Sequence, residues 1–307
     1  MDIDKTLERL KQVKGLRWLN RLRKRTGEIP EWVSTFHPER LPCQMEGDEL
    51  YGGFNLLRHT STEKVAGEVA TLRLLQEQTN IPVPKVKAWG VASDNALGLG
   101  PFIMEEFIQG VSLKNVLREE AEGSALLRND LDDKELDIIY PTACPEYFDH
   151  VIEQHWRQLL GQLNSVEDED DARQKYIFFR VLKSLTDRHV WPEYNEGPFK
   201  LTCDDLGLAN MIVDSREKLQ ITGVVDFEWS YTGPAQLLGT APWWLLQERP
   251  ELWDFTPDMR DRFLRHLGLF KRVLEEEEKH APEYQSKELS ELVERSETEG
   301  TMWYHIR

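Results

Sequence analysis

Cys203-Asp204-Asp205-Leu206-Gly207-Leu208-Ala209-Asn210 is followed by Val225-Asp226-Phe227-Glu228, with Asp226 sixteen residues beyond the asparagine. An acid, an amide five residues later and a second acid closing an apolar run are the parts of a divalent metal site beside a catalytic base, the arrangement of phosphoryl transfer. Between them Met211 to Val213 and Leu219 to Val225 are β-prone, and polar Asp214-Ser215-Arg216-Glu217-Lys218 separates the two runs, so the spacing predicts a hairpin. Pairing Asp214 with Leu219 sets Asp226 opposite Gly207, between Asp205 and Asn210. Magnesium takes hard oxygen ligands and is usually held by one or two carboxylates plus substrate phosphates, a share that Asn210 and Asp226 supply. Asp205 is then left to orient an attacking hydroxyl and accept its proton. The competing reading makes Asp205 and Asn210 ordinary turn residues, whose side chains bond nearby backbone, and Asp226 a strand-end carboxylate. Apolar Val224-Val225 directly before Asp226, on the return strand of a hairpin that starts at Asn210, favours the site.

The run Gly197-Pro198-Phe199-Lys200-Leu201-Thr202-Cys203-Asp204-Asp205, with Asn210-Met211-Ile212-Val213-Asp214 and Ile221-Thr222-Gly223-Val224-Val225-Asp226, resembles the aminoglycoside phosphotransferase family. It is most similar to the large fungal branch of that protein-kinase-like superfamily. Glu31 to Pro38, Glu68-Val69-Ala70-Thr71-Leu72, Ile81-Pro82-Val83-Pro84 and Ala241 to Leu246 carry the same resemblance, which runs discontinuously from about residue 31. The family's catalytic segment usually begins His-Gly-Asp, where this chain has Cys203-Asp204-Asp205; the imidazole lost there mainly packs and orients the loop. The resemblance implies an α+β, protein-kinase-like, two-lobed fold with a small β-containing N-lobe and a mainly helical C-lobe. It implies an N-lobe over 31–110 and a C-lobe over 111–307 that holds the catalytic loop and the metal-binding hairpin, while charge marks residues 1–30 as a basic helical arm.

Within that frame Gly52-Gly53-Phe54-Asn55 is a nucleotide-covering loop, where glycine lets backbone N–H groups approach phosphate, although a plain hairpin turn has the same composition. Lys64 to Gln78 predicts a helix from the recurrence of Val65, Val69, Leu72 and Leu75. Glu68 on it becomes, by resemblance, the glutamate that pairs with the phosphate-anchoring base, and otherwise a surface helix glutamate. Phe102 to Ile108 predicts a buried strand; by resemblance it is the hinge, where adenine bonds backbone near Glu105, Glu106 and Phe107. Relatives normally place a strand, a turn and a second strand bearing Lys or Arg between the glycine turn and the helix. Here only Leu56 to Thr62 intervenes, with Arg58 as the remnant of the anchoring base. The sequence is similarly short between Ile138-Ile139-Tyr140 and Pro145. Apolar stripes at helical spacing run from Tyr147 to Leu163, from Tyr176 to Leu185 and from Phe263 to Leu274. An acceptor pocket is expected in the helical lobe, near Trp229, Trp243 and Trp244.

The chain has 307 residues and a formal charge of −17, unevenly spread. Residues 1 to 25 hold nine Lys/Arg against Asp2, Asp4 and Glu8, a net +6 that leaves −23 on the remainder. The basic arm is open to three uses: docking on its own acidic body, contact with anionic lipid, or mitochondrial targeting, the last weakened by its three acids. An acidic body repels nucleic acid, whose binding rests on neutralising phosphates. Three widely spaced cysteines, Cys43, Cys144 and Cys203, exclude a disulfide framework or zinc ribbon and suit a reducing compartment. No apolar run approaches the roughly 18 residues of a spanning helix, so a cytoplasmic protein is expected.

G-x-x-x-x-G-K-[ST], G-x-S-x-G and H-E-x-x-H are all missing, which removes P-loop, α/β-hydrolase and zincin chemistry. Three functions remain. The first is an ATP- and Mg2+-dependent kinase that transfers the γ-phosphoryl group to a hydroxyl of a small molecule. The second is a catalytically impaired pseudokinase of the same fold that acts by binding. The third is an unrelated helical interaction protein, which ignores magnesium and nucleotide.

Overall fold

The computed structural model describes residues 18, 20–44, 62–118, 143–162, 165–246, 253, 256–280 and 288–305. In chain order the elements begin with α1 (Ile29–Ser34), α2 (Thr62–Gln78), β1 (Val86–Gly90), β2 (Phe102–Glu105), β3 (Val111–Ser112) and α3 (Leu113–Arg118). They continue with α4 (Cys144–Gly161), α5 (Glu169–His189), β4 (Phe199–Cys203), β5 (Met211–Val213), β6 (Ile221–Val224) and β7 (Ser230–Pro234). Helices α6 (Pro257–His280), α7 (Glu288–Glu299) and α8 (Thr301–His305) follow. Two compact units result, Met1–Leu136 with Cys203–Ser230, and Asp137–Thr202 with Tyr231–Arg307. Strands concentrate in the first and helices dominate the second, the α+β division expected.

In the first unit α2 forms because Val65, Val69, Leu72 and Leu75 recur on one face, and all four are buried. Each such side chain contributes roughly 1.5–3 kcal/mol on leaving water. The helix ends where Thr79 turns back on it: its N–H and its hydroxyl both donate to Leu75 O, at 3.0 and 2.7 Å. Pro82 and Pro84 then forbid continuation. Strand β1 pairs antiparallel with β2, with Gly90 opposite Phe102. An added Cβ at Gly90 would lie 2.7 Å from the Phe102 ring, so no larger residue fits that pairing. Trp32 and Phe36 of the α1 region close edge-on over Phe102, at centroid distances of 4.7 and 5.5 Å. Trp18 donates its indole N–H to Leu99 O at 2.9 Å.

The second sheet of this unit has the order β3-β5-β6. Strand β3 joins the predicted hairpin through Val111 opposite Val213 and Ser112 opposite Ile212. Gly110 makes that approach possible: its φ is 150°, and a Cβ there would stand 2.3 Å from Val213 O. The expected hinge strand therefore stops at Glu105, and the chain beyond it returns to the catalytic hairpin.

In the helical unit α5 starts with the Asp168 carboxylate accepting from Asp171 N–H at 2.8 Å. Acids in its first turn and Arg188 and His189 in its last complement the helix dipole. Cys144, Phe148, Ile152, Leu182, Val190 and Tyr304 form one buried cluster. A second gathers Ala241, Leu246, Trp253, Met259, Phe263, Leu267, Val293 and Met302, with Trp243 packed against it. The stripe from Tyr176 to Leu185 is only partly a core face: Leu182 is buried, whereas Tyr176, Ile177, Phe178 and Val181 are about half exposed. No helix among the described residues is long and apolar enough to cross a membrane.

Candidate active site

The chain leaves β4 at Cys203 and turns through Asp204 and Asp205. Asp204 N–H donates to Trp229 O at 3.3 Å, which ties the turn to the segment after Asp226. A short helical turn, Leu208–Asn210, then ends at a buried asparagine. Its side-chain Nδ2 donates to Asp205 O at 2.9 Å, so the amide is spent holding the backbone of the acid five residues earlier. On the return strand Val225 N–H donates to Asn210 O at 2.9 Å, one step beyond the last strand pair, Met211 opposite Val224. Asp226 comes next. Its φ of 66° is left-handed, a conformation that costs an L-residue roughly 1–2 kcal/mol and that Asp tolerates better than most. Asn210 is thus bonded to the backbone of Asp205 and of Val225, the residue before Asp226.

The register differs from the one predicted. Asp214 N–H bonds Gln220 O at 2.9 Å, not Leu219, and a further irregularity falls between Ile212 and Val213. The two single-residue shifts pair Met211 with Val224, so Asp226 follows Val225, which bonds Asn210 O, instead of facing Gly207. The cause lies in the turn. Asp214 Oδ1 accepts from Ser215 N–H at 2.7 Å and Gln220 N–H at 3.1 Å, and Leu219 adopts a φ of 54°, so the loop closes one residue wider.

Helix α2 reaches this turn directly. Glu68 Oε1 accepts from Phe227 N–H at 3.0 Å, one residue past Asp226. Its carboxyl is pushed up to about 7, first by burial, then by the negative charges of Glu105 and Asp226, with the Phe227 N–H acting in the opposite sense. Glu105, at the end of β2, is also raised, by removal from solvent and then by Asp226. Helix glutamate Glu68 thus bonds the backbone one residue past Asp226, and the charge of Glu105, exposed at the end of β2, acts on it from nearby. Of the other hinge residues, Glu106 donates its N–H to Lys85 O at 2.9 Å, and Phe107 is 77 % exposed. Gly52, Gly53 and Arg58, expected at the phosphates, lie outside the described residues.

These groups suit magnesium. The oxygen donors are hard, and the Asn210 O to Val225 N–H bond joins their two segments just beyond the last strand pair. Among the described residues no three His, Cys, Asp or Glu side chains form a metal cluster by themselves. The Cys203 thiol is raised by burial, so it remains protonated and serves packing, not nucleophilic chemistry. One contact was not foreseen: Lys64 Nζ lies 3.6 Å from the centroid of the Trp229 ring. Lys64 precedes Glu68 by four residues, the one sequence signal that places both on a single helix face. Trp229 belongs to this site's unit instead of the helical one. Cavities of about 350 and 380 Å3 in the helical unit are lined by residues from Arg260 to Trp303, and by none of the predicted site residues.

Comparison with known proteins identifies the family. A sequence model of the phosphotransferase enzyme family (APH) matches residues 54–237, more than half of the chain. The chain belongs to the phosphotransferase enzyme family. The matched region takes in Glu68, Glu105, Asp205, Asn210 and Asp226. Among solved structures, an aminoglycoside-3'-phosphotransferase of type VIII is similar at 15 % identity and a TM-score of 0.36, over 76 % of this chain and 80 % of that one. No curated protein sequence matches. Members of the phosphotransferase family act on small-molecule acceptors and generally use ATP and Mg2+.

Proposed function

We propose that this phosphotransferase moves the γ-phosphoryl group of ATP to a hydroxyl of a small-molecule acceptor. The observation that carries the proposal is the pair of bonds on Asn210, its Nδ2 to Asp205 O and its carbonyl from Val225 N–H, which tie a base-bearing loop to the residue before Asp226. Asp205 orients the acceptor hydroxyl and takes its proton as the new P–O bond forms. Asn210 and Asp226 hold magnesium through their side-chain oxygens. When bound, the ion neutralises charge on the transferring phosphoryl group. Arg58 and the Gly52-Gly53 turn contact the phosphates, and Glu105 to Phe107 border the adenine. Mg-ATP, a hydroxyl-bearing acceptor and no nucleic acid are the partners this reading requires. We further assign the chain to the fungal branch, on Cys203-Asp204-Asp205 and the Glu31 to Pro38 stretch, and to the cytoplasm, on its free cysteines.

A second reading keeps the fold and the nucleotide without turnover. Cys203 in place of the family histidine, and the short sequence between Gly53 and Glu68, favour it. ATP consumption over a panel of hydroxyl-bearing acceptors, in wild type and Asp205→Asn, separates the two. Transfer that falls by about 10²–10⁴ in the variant, with Mg-ATP affinity retained, supports the kinase. Mg-ATP binding with no transfer to any acceptor supports the second reading.

A further inference from the structure

The turn after Asp226 is gripped from two sides. Phe227 N–H donates to Glu68, and the Trp229 ring lies under the Lys64 ammonium, 3.6 Å from its centroid. Both grips come from α2, where residues four apart stack on one face. The same turn reaches the catalytic loop, because Trp229 O accepts from Asp204 N–H at 3.3 Å, next to Asp205. Ser230 N–H closes the turn on Phe227 O at 3.1 Å. Helix α2 is therefore connected to the backbone just after Asp226 and, through the Trp229 carbonyl, to the backbone just before Asp205.

We propose that Lys64 and Trp229 are positioning residues of the transfer site, setting Asp226 and Asp205 together through the 226–230 turn. The inference rests on the reading of Asp226 as metal ligand and Asp205 as base. A lysine over an indole is held by the ring quadrupole at any pH where the amine is charged. The contact is half-buried, which weakens screening by solvent. Arginine satisfies the same ring, whereas methionine keeps the length and removes the charge. The contact also ties a helix to a loop that holds a residue with φ of 66°, a conformation that persists only when its surroundings fix it.

The experiment compares wild type with Lys64→Met, Lys64→Arg and Trp229→Leu. It measures amide hydrogen exchange at Asp204 and Phe227, Mn2+ affinity in the presence of a non-hydrolysable ATP analogue, and kcat and KM for ATP. In Lys64→Met and Trp229→Leu, exchange at both amides rises roughly tenfold. Mn2+ affinity falls about tenfold, in the range of lost support around a metal ligand. The kcat falls more than KM rises, and Lys64→Arg restores all three. Unchanged exchange and Mn2+ affinity in Lys64→Met overturn the proposal. Faster exchange with unchanged Mn2+ affinity overturns it too, since the contact is then only structural. A wild type that binds Mn2+ without turning over ATP, and whose Lys64→Met variant still loses metal affinity, refutes the kinase reading and supports the positioning of Asp226. A wild type that binds no Mn2+ sinks the metal assignment and this inference with it.

Discussion

Replacing Glu68 with glutamine isolates the electrostatic cost of the site. In the folded protein the Glu68 carboxyl titrates at about 7, against an ordinary 4.5, because it is buried and faces Glu105 and Asp226. A raised carboxyl means that the folded state binds the proton more tightly than the unfolded one. The associated stability is thus fully present below pH 4.5, is lost as pH rises through about 7, and is flat above. At about 1.4 kcal/mol per unit, the shift corresponds to an upper bound on the order of 3 kcal/mol. Glutamine is neutral at every pH and keeps an oxygen to accept from Phe227 N–H. Urea denaturation without divalent cations, at intervals from pH 4.5 to 8.5, should show wild type losing stability across the window and Glu68→Gln losing much less, with Glu105 supplying the residual slope. At pH 8 the variant should be the more stable protein by about 2–3 kcal/mol. Parallel curves, or a variant less stable at pH 8, would refute the claim that burial and neighbouring negative charge destabilise ionised Glu68.

Two other substitutions test the backbone of the site. Asp226→Gly relieves the left-handed conformation and removes one negative charge beside Glu68, so the unliganded protein should gain roughly 1 kcal/mol at pH 8 while Mg-ATP ceases to stabilise it; a loss of stability without ligand contradicts this. Gly110→Ala drives a Cβ to 2.3 Å from Val213 O, at a φ of 150°. It should cost about 2 kcal/mol or more in denaturation and loosen β3 from the hairpin, as read by exchange at Val111 and Val213.

The parts of the site that sequence made legible are those set by local chain rules. The hairpin from Asn210 to Val225 forms because its second strand must return beside the first, and residue types alone announce that. Helix α2 was equally plain, since four apolar residues at three and four spacing have one common face. The register was not, because it depended on the Asp214 carboxylate accepting two N–H groups and on a left-handed Leu219, neither of which alters the β-prone pattern on either side. Glu105 was read as hinge backbone because an acid closing an apolar strand carries no mark of where its carboxylate points. The outward half of the α5 stripe was misread for a related reason. Periodicity identifies a face, and tertiary packing decides how much of it is covered.

Thermal unfolding with and without Mg-ATP, for wild type and Asp226→Asn, tests the metal and nucleotide site most directly. Ligand at about 100 times its dissociation constant adds roughly 2.7 kcal/mol to stability. Wild type should show a rise in Tm that requires both magnesium and ATP, and Asp226→Asn, which keeps the side chain's size and removes its charge, should lose most of it. No shift in wild type at millimolar Mg-ATP, or an equal shift in Asp226→Asn, would contradict the assignment of Asp226 to the metal that holds the nucleotide.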